Sequence, residues 1–136
     1  MPMSPQDYID FADRFVAAIE AGDAETVRAF YAPDARIWHN NDGVEQSVDQ
    51  NLKVLAWFAR TLPDRRYRVL RREALPDGFV QQHVLEATLA DGRAWRLDAC
   101  VVVRLTDGRI TRLDEYIDSA QAAALTAKPA TPGPRP

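Results

Sequence analysis

The chain has little of several features that would point at once to a class of function. It holds one cysteine, Cys100, which excludes a disulfide framework and a cysteine-rich metal site. Its two histidines lack the spacing of a metal-binding set, so we expect neither a metal nor a cofactor. No apolar run approaches the roughly 18–20 residues that cross a bilayer, so we expect no membrane partner. The N-terminal segment has no basic region followed by an apolar one, which favours a cytoplasmic location.

Net positive charge is also absent. The formal charge is −3. A nucleic-acid interface needs a basic face with interleaved aromatic side chains, and no segment here has that composition, so we expect no nucleic-acid partner. The 46% hydrophobic and 27% charged residues, over 136 residues, are typical of one globular domain.

The first half of the chain carries helical signals. Ser4 before Pro5 predicts the start of a helix, which Gly22 ends. A short second helix follows, with Val27, Phe30 and Tyr31 on its buried face, and Pro33-Asp34 breaks it. The pattern then predicts a short strand over 35–39, a turn at 40–43, and a third helix from about Ser47 to Thr61.

The second half reads as consecutive long strands joined by tight turns. We predict strands over 67–75, 79–89, 95–105 and 110–118, separated by turns that contain Asp-Gly. The element order α-α-β-α-β-β-β-β predicts an α+β fold with an antiparallel meander at the end. Strands of about ten residues in so short a chain must bend, so the sheet should curl around a pocket. We predict one domain over 1–127 and a disordered proline-rich tail over 128–136.

The Asp91-Gly92 turn provides a prediction of which side chains face the pocket. If the turn has two residues, Glu86 lies opposite Leu97 and Val84 opposite Ala99. This register directs Gln82, Val84 and Glu86 inward. It directs His83, Leu85 and Cys100 outward.

Several segments resemble a known superfamily. They are Ala17–Asp23, Phe30–Ala35, Asp107–Thr111 and Glu115–Asp118, in this order. The chain resembles the nuclear transport factor 2-like superfamily, and within it the SnoaL-like polyketide cyclase group. The resemblance implies a cone-shaped half-barrel, in which a curved, mainly antiparallel sheet wraps the N-terminal helices. It also implies a small hydrophobic ligand at the cone mouth and a homodimer through the outer sheet face, where we expect Leu85, Cys100 and Val102.

The same resemblance allows the catalytic residues of two enzymes of this superfamily to be compared with the residues of this chain. The base of ketosteroid isomerase falls at His39, but its two acidic donors fall at Phe15 and near Val101. In limonene epoxide hydrolase, the arginine falls at Gln82, the central aspartate at Val84, the tyrosine at Ile37 and the asparagine at His39. The second aspartate of that enzyme falls at Glu115, which is the one position of the set where a carboxylate is retained. Neither constellation is therefore preserved.

The remaining inward polar residues give the candidate site. We predict His39, Glu115 and Glu86 as catalytic acid–base residues, because a buried carboxyl and an imidazole both titrate near neutral pH. The predicted ligand-binding residues are Phe15, Ile37, Trp57, Gln82, Val84, Leu97, Ala99 and Ile117. In the alternative interpretation, the glutamates pair with arginines, His39 is a wall residue, and the domain is a non-catalytic binding or protein-interaction module.

Overall fold

The computed structural model describes residues 2–127 and begins with three helices that precede most of the sheet. The helices of the described part are α1 Pro5–Ala21, α2 Ala24–Arg28, α3 Val48–Thr61 and a C-terminal α4 Ser119–Thr126. Side chains accept hydrogen bonds from the first turn of each helix, and these caps are Ser4, Asp23, Ser47 and Asp118. The sequence-based helix starts at Ser4 and Ser47 are confirmed. No helix in residues 2–127 is long and apolar enough to span a membrane.

The strands form one curved sheet against which the helices pack. They are β1 Tyr31–His39, β2 Glu45–Gln46, β3 Arg66–Leu75, β4 Gly78–Thr88, β5 Ala94–Thr106 and β6 Arg109–Ile117. The six strands lie in the order β2-β1-β6-β5-β4-β3. Only the β1–β6 pair is parallel among the strand pairs of the described residues. The predicted α+β fold is confirmed, and the predicted tail lies outside the described residues.

One strand begins earlier than the sequence predicts. Phe30 and Tyr31 were expected on the second helix, but β1 starts at Tyr31 and runs through Pro33. Its pairing with β6 shifts between Tyr31 and Arg36, so the proline sits where the ladder is interrupted. A proline has no N–H to donate, and such a break in the ladder tolerates it.

The predicted register of β4 with β5 is wrong by one residue. Leu89 donates its backbone N–H to the Arg93 carbonyl and accepts from the Gly92 N–H. The turn therefore contains three residues, with Gly92 in the left-handed conformation at φ 88°. As a result Leu85 lies opposite Leu97 and His83 opposite Ala99. The extra turn residue exchanges the two faces of β4 relative to the prediction.

The main core lies between α1 and the concave face of the sheet. Phe11 and Phe15 of α1 pack with Phe30, Tyr31 and Phe79 at ring-centroid distances of 5.2–6.4 Å. A second cluster, around Leu62, Leu85 and Trp95, fills the other end of the sheet. The candidate site lies on the concave face between these two clusters.

Candidate functional site

A cavity of about 90 Å³ lies between α1, α3 and the concave face of the sheet. Apolar side chains form most of its wall, including Phe15, Ile37 and Leu97. Polar side chains from β1, β3, β4, β6 and α3 also reach it, namely Tyr31, His39, Asn51, Tyr67, Gln81, His83 and Glu115. An apolar enclosure with a few convergent polar groups is the usual form of a small-molecule site.

The parallel pairing of β1 and β6 brings an imidazole and a carboxylate together. His39 and Glu115 are directly paired residues of the two strands, so both side chains project to the same face. His39 Nε2 lies 3.1 Å from Glu115 Oε1. The two side chains are 17% and 22% exposed, so the pair is shielded from solvent but reachable from the cavity.

Burial and two nearby carboxylates act on the pKa of His39. Burial is the largest single contribution, and it lowers the pKa by disfavouring the cation. The hydrogen bond and negative charge of Glu115, helped by the charge of Asp42, outweigh burial and raise the pKa above its ordinary value. The pair therefore holds a proton more tightly than an isolated histidine does.

The other histidine also faces the cavity. His83 is 6% exposed, and its Nδ1 lies 3.0 Å from Nε2 of Gln81. Gln81 Oε1 accepts a 2.8 Å hydrogen bond from Arg72 Nε, and Arg72 in turn pairs with Asp13 of α1. Burial, as the largest cause, lowers the pKa of His83.

Two phenols complete the polar wall. Burial raises the pKa of Tyr31 and that of Tyr67, and the charge of Glu115 raises both further. Both side chains are therefore neutral hydroxyl donors at physiological pH. Glu115 acts electrostatically on Tyr31, Tyr67, His39 and His83, which makes it the central charge of the cavity.

The sequence matches a known protein family over most of its length. The model of the SnoaL-like domain matches residues 12–113. The chain belongs to the SnoaL-like family. No curated protein matches its sequence.

Solved structures with this SnoaL-like fold come from several kinds of protein. AclR from Streptomyces galilaeus, a proposed hydroxylase, is 18% identical with a TM-score of 0.80, covering 96% of this chain and 91% of AclR. IdmH from Streptomyces antibioticus, a proposed polyketide cyclase, is 22% identical with a TM-score of 0.75, covering 86% of this chain and 96% of IdmH. An epoxide hydrolase-like protein from M. tuberculosis is 18% identical with a TM-score of 0.71, covering 86% of each chain. These likenesses show the shared fold, which hosts different chemistries.

The structure brings together part of the site predicted for this SnoaL-like domain. Of the predicted residues, the cavity is lined by Phe15, Ile37, His39, Leu97 and Glu115. Ala99 is buried on the same face of β5, next to His83. Trp57 packs edge-on against Phe58 at 5.4 Å, and Phe58 rather than Trp57 lines the cavity. Ile117 packs with the second core cluster instead.

The predictions on β4 are corrected by the three-residue turn. Gln82, Val84 and Glu86 do not line the cavity, since they belong to the opposite set of side chains on that strand. Glu86 pairs with Arg68 at 2.9 Å, with both side chains about half exposed. The arginine-paired alternative therefore holds for Glu86 and not for Glu115. Leu85, expected on the outer face, lines the cavity.

Sequence reasoning missed Gln81, His83, Tyr31 and Tyr67 as cavity residues. A three-residue Ala90-Asp91-Gly92 turn would have placed Gln81 and His83 inward, because it shifts the register by one. Tyr31 was missed because the strand was expected to begin after Pro33. Within residues 2–127 no cluster of three or more histidine, cysteine or acidic side chains could hold a metal ion.

Proposed function

We propose that this SnoaL-like protein is an acid–base enzyme that moves a proton within a small lipophilic carbonyl compound. The observation that carries the proposal is the 3.1 Å contact between His39 and Glu115 at an apolar cavity. That distance lies within the range of about 2.6–3.2 Å over which an acid–base pair shares a proton. A shielded imidazole–carboxylate pair with a perturbed pKa at a cavity is typical of acid–base sites.

The pair acts as one unit in the proposed reaction. It accepts a proton from a carbon next to the carbonyl group and returns that proton to another atom of the same molecule. The negative charge of Glu115 stabilises the imidazolium that forms on His39. The electrons of the broken C–H bond stay in the substrate, so isomerisation or cyclisation follows without a redox partner.

The size of the cavity limits the substrate. Its volume of about 90 Å³ is smaller than that of an apolar protein cavity of about 150 Å³ that holds a benzene molecule. A compact carbonyl-bearing end fits there, and a larger substrate must leave the rest of its body outside. Val16, Val54 and Phe58 are only partly buried cavity residues, so they supply apolar contacts for that outer part.

Deuterium exchange tests this proposal with simple ketones in place of the natural substrate. A panel of small cyclic and acyclic ketones is incubated with the protein in D2O, and loss of the protons next to the carbonyl is followed by NMR. We expect exchange above the buffer rate, and a loss of roughly 100-fold or more in His39→Gln and in Glu115→Gln. Glu86→Gln is the matched control, because that carboxylate lies outside the cavity, and it should keep the parent rate.

Two results would contradict the proposal. If His39→Gln and Glu115→Gln both exchange at the parent rate, the pair is not the acid–base group. If ketones bind in the cavity but the parent protein exchanges none of them, the domain is a non-catalytic binding module.

We also propose a homodimer through the outer face of the sheet. Leu70, Val102 and Tyr116 are exposed by 56%, 38% and 49%. Val102 lies two residues from Cys100, which is paired directly with Tyr116 across β5 and β6. A contiguous apolar patch of this kind is unusual for a sheet face that meets only water.

A further inference from the structure

His83 belongs to a series of hydrogen-bonded side chains that is separate from the pair of His39 and Glu115. This chain of hydrogen bonds runs from Asp13 on α1 through Arg72 on β3 to Gln81 and His83 on β4. Arg72 and Gln81 are directly paired residues, and Gln81 and His83 are two residues apart on the same face. Such a chain across three elements orients one side chain at its end.

The hydrogen bonds determine which ring nitrogen of His83 carries the proton. A guanidinium group can only donate, so Arg72 Nε requires the oxygen of the Gln81 amide on its side. The amide nitrogen then faces His83 Nδ1 and donates to it. Nδ1 is therefore an acceptor without a proton, and the proton of the neutral ring is on Nε2.

The surroundings of His83 keep that ring neutral. Burial is the largest cause of its lowered pKa, and the charge of Arg72 lowers it as well, against an opposing contribution from Glu115. A neutral imidazole with a fixed Nε2–H donates a hydrogen bond and does not act as a base. Neutral histidines of this kind serve other enzymes as electrophiles toward a carbonyl oxygen.

The donor nitrogen belongs to a residue that lines the cavity, and it is not sealed from solvent. Nε2 of His83 has no hydrogen-bond partner among residues 2–127. Arg72 Nη2 is the one side-chain polar atom of that range that is both sealed from solvent and without a partner, so His83 Nε2 is not sealed. The ring of Tyr67 lies 5.4 Å from that of His83, and its neutral hydroxyl is a second donor without a partner in the described residues.

We propose that His83 is the oxygen-binding residue of the cavity, with its Nε2–H donated to a carbonyl oxygen while His39 and Glu115 exchange the proton on the neighbouring carbon. This rests on the proposed function. When the C–H bond breaks, its electron pair forms a carbon–carbon double bond, and the carbonyl π pair moves to the oxygen that His83 holds. Return of the proton reverses the shift. Gln81 and Arg72 are positioning residues, and the ligand class is an uncharged carbonyl compound, since Glu115 repels anions.

The tautomer of His83 is measured on the full chain by long-range ¹H–¹⁵N NMR at neutral pH, with no ligand present. We expect Nε2 protonated and Nδ1 unprotonated in the parent protein. Gln81→Leu and Arg72→Met should produce a mixture of tautomers, because each removes one hydrogen bond of the chain. Gln82→Leu, which changes the neighbouring residue on the opposite face, should leave the tautomer unchanged. An Nδ1-protonated ring in the parent protein would overturn the proposal.

Binding of cyclohexanone labelled with ¹³C at the carbonyl gives the second part of the test. We expect the carbonyl resonance to move downfield on binding and the His83 Nε2–H signal to shift with it. His83→Phe should weaken the affinity about threefold to tenfold, the usual value of one net hydrogen bond, and Gln82→Leu should not. Absence of binding, or equal affinity in His83→Phe, would overturn the assignment. Neither measurement needs turnover. A negative result for the His83 tautomer or for cyclohexanone binding is therefore distinct from a negative result in the deuterium exchange of ketones.

Discussion

At the scale of single residues, the two histidines of the chain have opposite environments within one cavity. His39 has a carboxylate 3.1 Å away and a raised pKa, whereas His83 has an amide donor and a lowered pKa. One ring is therefore suited to take up and return a proton, whereas the other carries a proton that stays in place. Pairs of titratable groups whose pKa values are pushed apart are typical of acid–base sites.

The raised pKa of His39 predicts how the pair affects stability with pH. The folded protein binds this proton more tightly than the unfolded chain, so the contribution is complete below the ordinary histidine pKa and is lost as pH rises through the folded value. Urea unfolding of the parent protein and of His39→Gln should therefore differ more at about pH 6 than at about pH 9. His83 is present in both proteins, so its titration cancels. A difference that grows toward pH 9 would contradict the pairing.

At the scale of elements, the strand pairing shows what could be predicted from sequence and what could not. The helix starts at Ser4 and Ser47, the two-residue Asp107-Gly108 turn and the order of α1 to α3 and the five long strands were predictable, because each depends on local residue preferences. The two-residue strand β2 and the helix α4 were not in the predicted order. The Asp91-Gly92 turn was not predictable, since the same dipeptide closes a two-residue or a three-residue loop. That single residue decided whether Glu86 or His83 faced the cavity. Half of the candidate site thus depended on one turn, whereas the pairing of β1 with β6 brings His39 and Glu115 to the cavity independently of that turn.

Gly78, the first residue of β4, has no room for a side chain, so a substitution there should have a strong steric effect. A Cβ added to Gly78 would lie 1.8 Å from the Val103 carbonyl oxygen, at the point where β4 meets β5. Gly78→Ala should lower the free energy of unfolding by about 3 kcal/mol, because backbone must move to relieve the clash. Gly43→Ala is the control: nothing lies within 4 Å of its added Cβ, and the left-handed backbone alone costs about 1 kcal/mol. If chemical denaturation shows the same loss of unfolding free energy for Gly78→Ala and Gly43→Ala, β4 and β5 do not approach this closely.

At the scale of the whole molecule, the two faces of the sheet carry two different proposed sites. The concave face holds the cavity, and the convex face carries Leu70, Val102 and Tyr116. Separation of the two faces lets a substitution on one leave the other unchanged.

The proposed dimer is tested on the convex face. Sedimentation equilibrium at micromolar concentration should give the mass of two chains for the parent protein. Val102→Glu should give one chain, because a charge would lose its hydration in the interface. Thr106→Glu, at the exposed end of the same strand, is the control and should remain dimeric. A monomeric parent protein would refute the interface.

The central claim is that His39, His83 and Glu115 share one cavity, and NMR titration of the two histidines tests it most directly. In the parent protein we expect one histidine to titrate above the ordinary value of about 6.5 and the other below it. Glu115→Gln should lower both pKa values, since the charge of Glu115 raises each of them. Glu86→Gln should move neither. A His39 curve at the ordinary pKa that is unchanged in Glu115→Gln would contradict the account.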